Sequence, residues 1–270
     1  MLESNLDDKT HYSLVLIVVF CSIMLSYPGM AAELWYDEAY TLRNYVSKGP
    51  THTMTNYGSP NNHILYNVVL WPFFTLFGGL KAPIFLLRLF SLLSSLICLY
   101  CLYKAVSLWS NRRAALFALA SFSLAHSYFC FNAQLRGYSL SGLLSSLGLF
   151  LLLRFLKEQA KGDLVVYCVI AALATAVLPT NLLAFSCLAA LYCLSLIHSK
   201  KTLFLSAFAL IAAPFLGLLF YLPVIEDLQK NYGYWGFGRS IASVTFNVYY
   251  SLLIDAWCLW PLISIVIFAL

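Results

Sequence analysis

The chain has 270 residues, of which 61% are hydrophobic and 10% charged, with a formal net charge of +5. A soluble domain carries about 25% charged residues. With a mean hydropathy of +0.81 and repeated apolar runs of roughly 20 residues, the composition excludes a water-soluble globule and points to a helical integral membrane protein.

The N-terminal stretch MLESNLDDKTHY is acidic, with no basic n-region, and no small-residue cleavage site follows the apolar run after it. Residues 1–11 therefore read as a tail before a first span, not as a cleavable signal. Predicted spans cover 12–30, 84–104, 113–131, 138–156, 163–179, 182–198 and 202–223, with a last apolar region from 243 to the end. This is an all-α polytopic protein of about eight spans. The runs are continuous rather than alternating, which argues against a β-barrel.

Between the first two spans lies ELWYDEAYTLRNYV (33–46), with Asp37 and Glu38 set among aromatic residues. HILYNVVLWPFFTLFGG (63–79) follows. It sits at the lower length limit for crossing, holds Asn67 and Pro72, and closes on Gly78 and Gly79. All eight cysteines lie in or beside apolar segments. Cys98 and Cys101 form a C-x-x-C on a predicted span with no second pair, which reads as small apolar packing rather than a metal or redox site. No repeat or Ser/Pro-rich linker divides the chain, so 1–270 reads as a single domain. The longest polar stretches are 43–62 and 225–241. The sequence stops at PLISIVIFAL inside an apolar run, and a C-terminally short or truncated form is expected.

Charge decides whether 63–79 crosses. If it lies in the interface, the loops KAVSLWSNRR, RFLKEQAKGD and HSKK share one side and gather Lys104, Arg112, Arg113, Arg154, Lys157, Lys161, Lys200 and Lys201 there. If it crosses, these cations move to the side of Asp37. The positive-inside rule favours the first arrangement. The N-terminus is then cytoplasmic, and 31–83 is a long external loop carrying a half-embedded helix at 63–79. The same arrangement places Asp37, Glu38, the turn NAQLRGYS with Arg136, and the loop EDLQKNYGYWGFGR on the external face. The net charge thus speaks to topology, and no nucleic-acid partner is expected. An external cluster of opposite charges suits a polar or phosphorylated lipid.

A first span followed in order by ELWYDEAYTL, SPNNHILYNVVLWPFFTLFG, LLRLFSLLSSL and AQLRGYSLSGLL resembles the GT-C class of integral-membrane glycosyltransferases. The likeness is to the family-39-like branch, with the protein O-mannosyltransferases and the aminoarabinose transferase acting on lipid A. It covers roughly residues 10–160 and rests on the ordered set. The resemblance implies an essential acidic residue in an external first loop, matching Asp37, often followed by Glu as in Glu38. It also implies juxtamembrane helices in that loop, a polyprenyl-phosphate-linked sugar donor, and transfer on the external or lumenal side. Many members carry further spans or a soluble C-terminal domain, and no such domain is seen here.

Asp37, at the membrane surface between Trp35 and Tyr36, can lose part of its hydration, which strengthens a carboxylate as a base. Its expected role is to take a proton from the acceptor hydroxyl. Glu38 points about 100° away on a helix. It is a second catalytic candidate, a metal or acceptor ligand, or an N-terminal helix charge. Arg136 either snorkels to the interface or holds the donor phosphate and balances its departing charge. His63 is a phosphate or metal contact, or an interfacial polar residue, and Asn61 and Asn62 are N-cap candidates. Arg88 in LLRLF is a further phosphate candidate near the outer end of its span, where snorkelling also suffices. Tyr138, Tyr234 and Trp235 are candidate sugar or acceptor platforms, or interfacial anchors. Tyr232 and Phe237 share the Gly-rich loop with the last two. Asp255 marks a cavity wall or separates an amphipathic helix from the last span. Glu226 and Asp227 lead into the Gly-rich loop and are possible metal ligands. No Gly-rich phosphate loop or zinc-type spacing appears, so a divalent cation is allowed but not demanded.

These observations favour a polytopic glycosyltransferase of a bacterial plasma membrane, moving a sugar from a polyprenyl-phosphate donor to a lipid, glycan or protein hydroxyl. A flippase would need polar residues or broken helices near the midplane of several spans. A non-catalytic relative of the same fold is the other alternative.

Overall fold

A bilayer offers no water to backbone amides, so a chain this apolar must pair them within helices. The computed structural model describes residues 8–199 and 204–231. Among the described residues it contains helices and no strand.

Helix α1 (Asp8–Ala31) has 24 residues, about 36 Å at 1.5 Å per residue, enough to cross a hydrocarbon core of about 30 Å. Its pattern is inverted relative to a soluble helix. Ser22, Ser26 and Met30 face inward at i, i+4 spacing, whereas Leu16, Ile17 and Phe20 are exposed. The Ser26 hydroxyl is tied: Asn132 Nδ2 donates to Ser26 Oγ at 2.6 Å, and Ser95 Oγ donates to the Asn132 carbonyl at 3.0 Å.

The centre of the fold is the pair α5 (Ile84–Trp109) and α8 (Tyr138–Glu158). They run in the same direction. A Cβ at Gly142 would touch Cys98 Sγ at 3.6 Å, and further along Lys157 Nζ donates to the Leu108 carbonyl at 3.1 Å. The small residue at 142 lets the two backbones approach, as membrane helix pairs require. Cys98 and Cys101 are buried free thiols within this packing. Helix α9 (Lys161–Val177) packs on α8, with α10 (Asn181–Ser199) beside it. Helix α11 (Phe204–Leu216) packs on α9, followed by a 3-10 segment (Gly217–Val224) and α12 (Ile225–Asn231). Gly217 sits against the Ala172 carbonyl, where a Cβ would have no room.

Among the described residues four helices are long and apolar enough to cross a bilayer: Asp8–Ala31, Ile84–Trp109, Tyr138–Glu158 and Ser206–Lys230. About eight were expected. The region from 243 onward lies outside the described residues. The expected span 113–131 is not one helix. It divides into α6 (Arg112–Ser123) and α7 (His126–Phe131). Ser123 Oγ donates to the Ala120 carbonyl at 3.0 Å, competing with the helical ladder, and the chain turns at Leu124 and Ala125. Helix α9 has 17 residues, and the Asn181–Leu194 part of α10 is a short apolar helix.

The segment 31–83 folds into α2 (Tyr36–Asn44), α3 (Pro50–Thr55) and α4 (Ile64–Leu76). At 13 residues α4 reaches about 20 Å, short of a bilayer core. Its buried face is fixed by Tyr66 and Leu70, in one apolar core with Leu42, Leu87, Leu135 and Val177. Tyr66 OH also bonds Ser91 Oγ at 2.8 Å. The segment is tied to α12, where Asp227 Oδ2 accepts the Tyr57 amide at 2.9 Å. Those contacts seat α2 beside the turn that leads into α8.

Candidate functional site

The site begins where α1 gives way to α2. Glu38, in the first turn of α2, reaches back to accept the Trp35 amide through Oε2 at 2.9 Å, satisfying one of the helix's unpaired N–H groups. The same oxygen accepts Arg88 Nη2 at 2.6 Å. Oε1 accepts Arg88 Nε at 3.2 Å and the Leu135 amide at 2.8 Å. Arg88 completes its set on the carbonyls of Met30, Ala32 and Glu33. Both side chains are out of solvent, at 0% exposure for Glu38 and 2% for Arg88. A charge taken out of water persists only if paired and hydrogen-bonded, and this pair uses both carboxylate oxygens and all three guanidinium nitrogens. It joins the end of α1, the start of α2, the first turns of α5 and the turn before α8.

One residue earlier, Asp37 faces a different way. Its Oδ2 lies 3.1 Å from Arg136 Nη1, and its Oδ1 accepts Asn61 Nδ2 at 2.8 Å. Arg136 Nη2 donates to Asn61 Oδ1 at 3.0 Å, which closes a triangle of acid, amide and guanidinium. Here the charges are accessible: Asp37 is 35% and Arg136 15% exposed. The guanidinium carbon sits 4.8 Å from the centre of the Tyr138 ring, a cation–π placement. Arg136 Nε is buried and has no partner among the described residues.

Asn61 and Asn62 do not cap α4, as the sequence suggested. His63 occupies the N-cap position and makes no capping bond through its side chain. Asn61 was taken up by the acid and the guanidinium. Asn62 is spent on the loop itself, donating to the Thr53 and Asn56 carbonyls and accepting from Asn67. The polar residue at 67, odd in an apolar segment, is thereby explained. Thr41 Oγ1 holds the Asn61 backbone by donating to its carbonyl at 3.2 Å.

His63 is buried, its ring 5.4 Å from that of Tyr138, and Nε2 has no partner among the described residues. Burial, and then the positive charge of Arg136, lower its pKa to about 3, so the ring is neutral at neutral pH. Gly137 is required between Arg136 and Tyr138: a Cβ there would lie 2.9 Å from Val177 Cγ1 and 3.1 Å from His63 Cβ. The sequence alone gives Asn61 no role beyond capping and gives Gly137 none. The doubled Asn of SPNN and the Gly of QLRGY were the available signals.

Beside the triangle lies a cavity of about 370 Å³, lined by Tyr138, Phe131, Tyr128, Phe122, Cys98 and Ser139 among others. It is almost wholly apolar and shares Tyr138 with the guanidinium. A cation stacked on one wall residue of an apolar cavity matches an amphipathic anion.

The structure thus brings Asp37, Arg136, His63 and Tyr138 together and turns Glu38 and Arg88 onto each other behind them. Trp35 and Tyr36 are themselves widely exposed. Glu226 pairs with Lys230, and Asp227 is bonded to Tyr57. Among the described residues no three His, Cys, Asp or Glu side chains converge as metal ligands. Tyr232, Tyr234, Trp235, Phe237 and Asp255 lie outside the described residues.

The sequence model of one family, the Alg9-like mannosyltransferase family, matches residues 18–254. No curated protein and no solved structure matches the chain. The match covers most of the sequence, and the chain belongs to the Alg9-like mannosyltransferase family, membrane glycosyltransferases of GT-C type that use lipid-linked sugar donors.

Proposed function

We propose that this Alg9-like chain transfers a sugar, mannose on the family's description, from a polyprenyl-phosphate donor to an acceptor hydroxyl at the external face of the membrane. The observation that carries the reading is the 3.1 Å pairing of Asp37 with Arg136, bridged by Asn61, at the edge of an apolar cavity. It supplies a carboxylate, a cation for a phosphate and an apolar recess within one site. The ordered motifs resemble the family-39-like branch, and from it we carry over the polyprenyl-phosphate donor and the acidic residue of the first loop. A multi-pass topology of about eight spans, a cytoplasmic N-terminus, 31–83 outside, and a bacterial plasma membrane belong to the same proposal.

Paired at 3.1 Å, Asp37 and Arg136 neutralise each other. A donor phosphate competes with Asp37 for Arg136, and the buried Nε of Arg136 offers it a further N–H. Asp37, released from the ion pair and still held by Asn61, then accepts the proton of the acceptor hydroxyl. The acceptor oxygen forms its bond to the anomeric carbon as the bond from that carbon to the phosphate oxygen breaks. The electron pair leaves on the polyprenyl phosphate, whose charge Arg136 balances. A single displacement inverts the anomeric centre. Neutral His63 offers a hydrogen-bonding nitrogen without adding charge. Glu38 and Arg88 position Asp37 and Arg136, since the Glu38 carboxylate holds the amides of Trp35 and Leu135 at once.

The test is turnover of a fluorescent polyprenyl-phosphate sugar by purified protein. Loss of turnover in Asp37→Asn with donor binding retained supports the enzyme. Donor binding without turnover in the unaltered protein identifies a non-catalytic relative, and lipid movement across vesicles without transfer identifies a flippase.

A further inference from the structure

At the other end of the central helix pair is a second cavity, of about 660 Å³, formed among the described residues by α5 and α8. On α5 it is lined by Tyr100, Cys101, Lys104, Ser107 and Leu108, and on α8 by a stripe from Leu147 to Glu158. Both sets recur at helical spacing, so each is one face of one helix. Because the helices run in the same direction, these faces converge on the two C-terminal ends.

The lining changes character along the axis. Tyr100, Leu147 and Phe150 form an apolar part, and Lys104, Arg154 and Lys157 stand beyond it toward the helix ends. From Tyr100 to Trp109 the helix rises about 14 Å. Trp109 is exposed at the end of α5, as an aromatic ring at a membrane–water interface is. The cavity therefore runs from the hydrocarbon edge to headgroup level. Arg154 is bound to Asp163 through Nε and Nη2, and its guanidinium carbon lies 5.4 Å from the Phe150 ring. Lys104 and Lys157 are exposed, and among the described residues Glu158 is the one carboxylate in the lining. Three cations against Glu158 and Asp163 leave a net +1, the counterpart of a phosphodiester. The carbonyl end of α8 favours a cation at Lys157 in its last turn but leaves that charge open to an anion, and Lys104 lies more than a turn before the end of α5.

We propose that this cleft between α5 and α8 binds an anionic phospholipid, its phosphate between Lys104 and Lys157 and its first acyl methylenes against Tyr100, Leu147 and Phe150. A free phosphate would leave the apolar part unused, and a zwitterionic headgroup would set its own cation against the lysines. The site is separate from the Asp37–Arg136 triangle and serves to anchor the helix pair in its leaflet.

Native mass spectrometry of the full chain in non-ionic detergent, with phosphatidylglycerol and phosphatidylcholine of matched acyl chains, tests this. One retained phosphatidylglycerol is expected in preference to phosphatidylcholine. Lys104→Gln and Lys157→Gln should each weaken its retention about fivefold, the effect of one surface charge on an anionic lipid. Glu158→Gln should strengthen it by a similar factor, a gain that damage to folding cannot mimic. Arg136→Gln should leave it unchanged. Equal retention of the two lipids overturns the proposal, as does retention that survives both lysine changes but falls with Arg136→Gln. Inorganic phosphate raising the melting temperature as much as phosphatidylglycerol would likewise overturn it.

Discussion

Replacing Glu38 by Gln separates the two acidic neighbours by their function. Oε1 of Glu38 accepts from Arg88 Nε and the Leu135 amide, and Oε2 from Arg88 Nη2 and the Trp35 amide. A glutamine must place its NH2 at one of these positions, and either choice points a donor at two donors. It also leaves the Arg88 charge buried without a counter-ion. Breaking a buried pair from one side costs about 3–5 kcal/mol. At Asp37 the partner stays partly hydrated and keeps its bond to Asn61, so Asp37→Asn costs at most about 1 kcal/mol of stability. Removing a general base costs roughly 10²–10⁴-fold in rate.

The assay is thermal unfolding of each purified variant beside its turnover of a polyprenyl-phosphate sugar. Glu38→Gln should unfold well below the unaltered protein, with activity falling as the folded fraction falls. Asp37→Asn should unfold near the unaltered protein and be inactive. The double change Glu38→Leu with Arg88→Met should recover part of the stability lost in Glu38→Gln, because no unpaired charge remains. A Glu38→Gln protein that melts with the unaltered one would refute the assignment of Glu38 to positioning.

Arg136→Lys keeps the charge but cannot span both Asp37 and Asn61, so donor KM should rise, with a smaller loss than in Arg136→Gln; equal losses would remove the case for the guanidinium fork. Gly137→Ala should cost about 1–3 kcal/mol, because the new methyl meets Val177 and His63 within 3.1 Å. His63 has a folded-state pKa depressed to about 3 from 6.5. Its contribution is therefore fully present above pH 6.5 and is lost as pH falls toward 3. A His63→Gln variant should show a flatter decline of stability across that window, and identical profiles would contradict the buried neutral ring. Asp37→Cys and Arg136→Cys should both react with an impermeant thiol reagent from the same side of intact cells.

Hydropathy made α1, α5 and α8 legible, since a run of that length and apolarity has few alternatives. It could not show the break at Leu124 and Ala125, because a window average passes over the local competition of Ser123 for a backbone carbonyl. The pairing of Asp37 with Arg136 across 99 positions was readable only as a shared side of the membrane, inferred from loop charges. The N-terminal helix charge was among the readings of Glu38, and its bond to the Trp35 amide fits it, but the pairing of Glu38 with Arg88 was not readable. Adjacent carboxylates look alike in sequence, and Arg88 near the end of a span has the pattern of a snorkelling residue. Only the tertiary arrangement shows it turned inward onto three carbonyls and a carboxylate.

The 100° rotation between neighbours on a helix explains why one sequence pair yields two environments. Glu38 is carried into the junction of α1, α2 and α5, where four donors hold its two oxygens out of solvent. Asp37 is carried to the edge, where its partner Arg136 is only partly covered and can be won by another anion. A catalytic carboxylate must be able to leave its resting partner, and a structural one must not. The buried pair also fixes the amide of Leu135, one residue from Arg136, so the geometry of the labile pair is set by the permanent one. Shortening the side chain that makes that linkage, as in Glu38→Asp, should therefore disturb the distance between Asp37 and Arg136 without touching either residue. Such a variant should lower kcat more than it lowers donor affinity. A Glu38→Asp protein with unaltered kcat would show that the two pairs act independently.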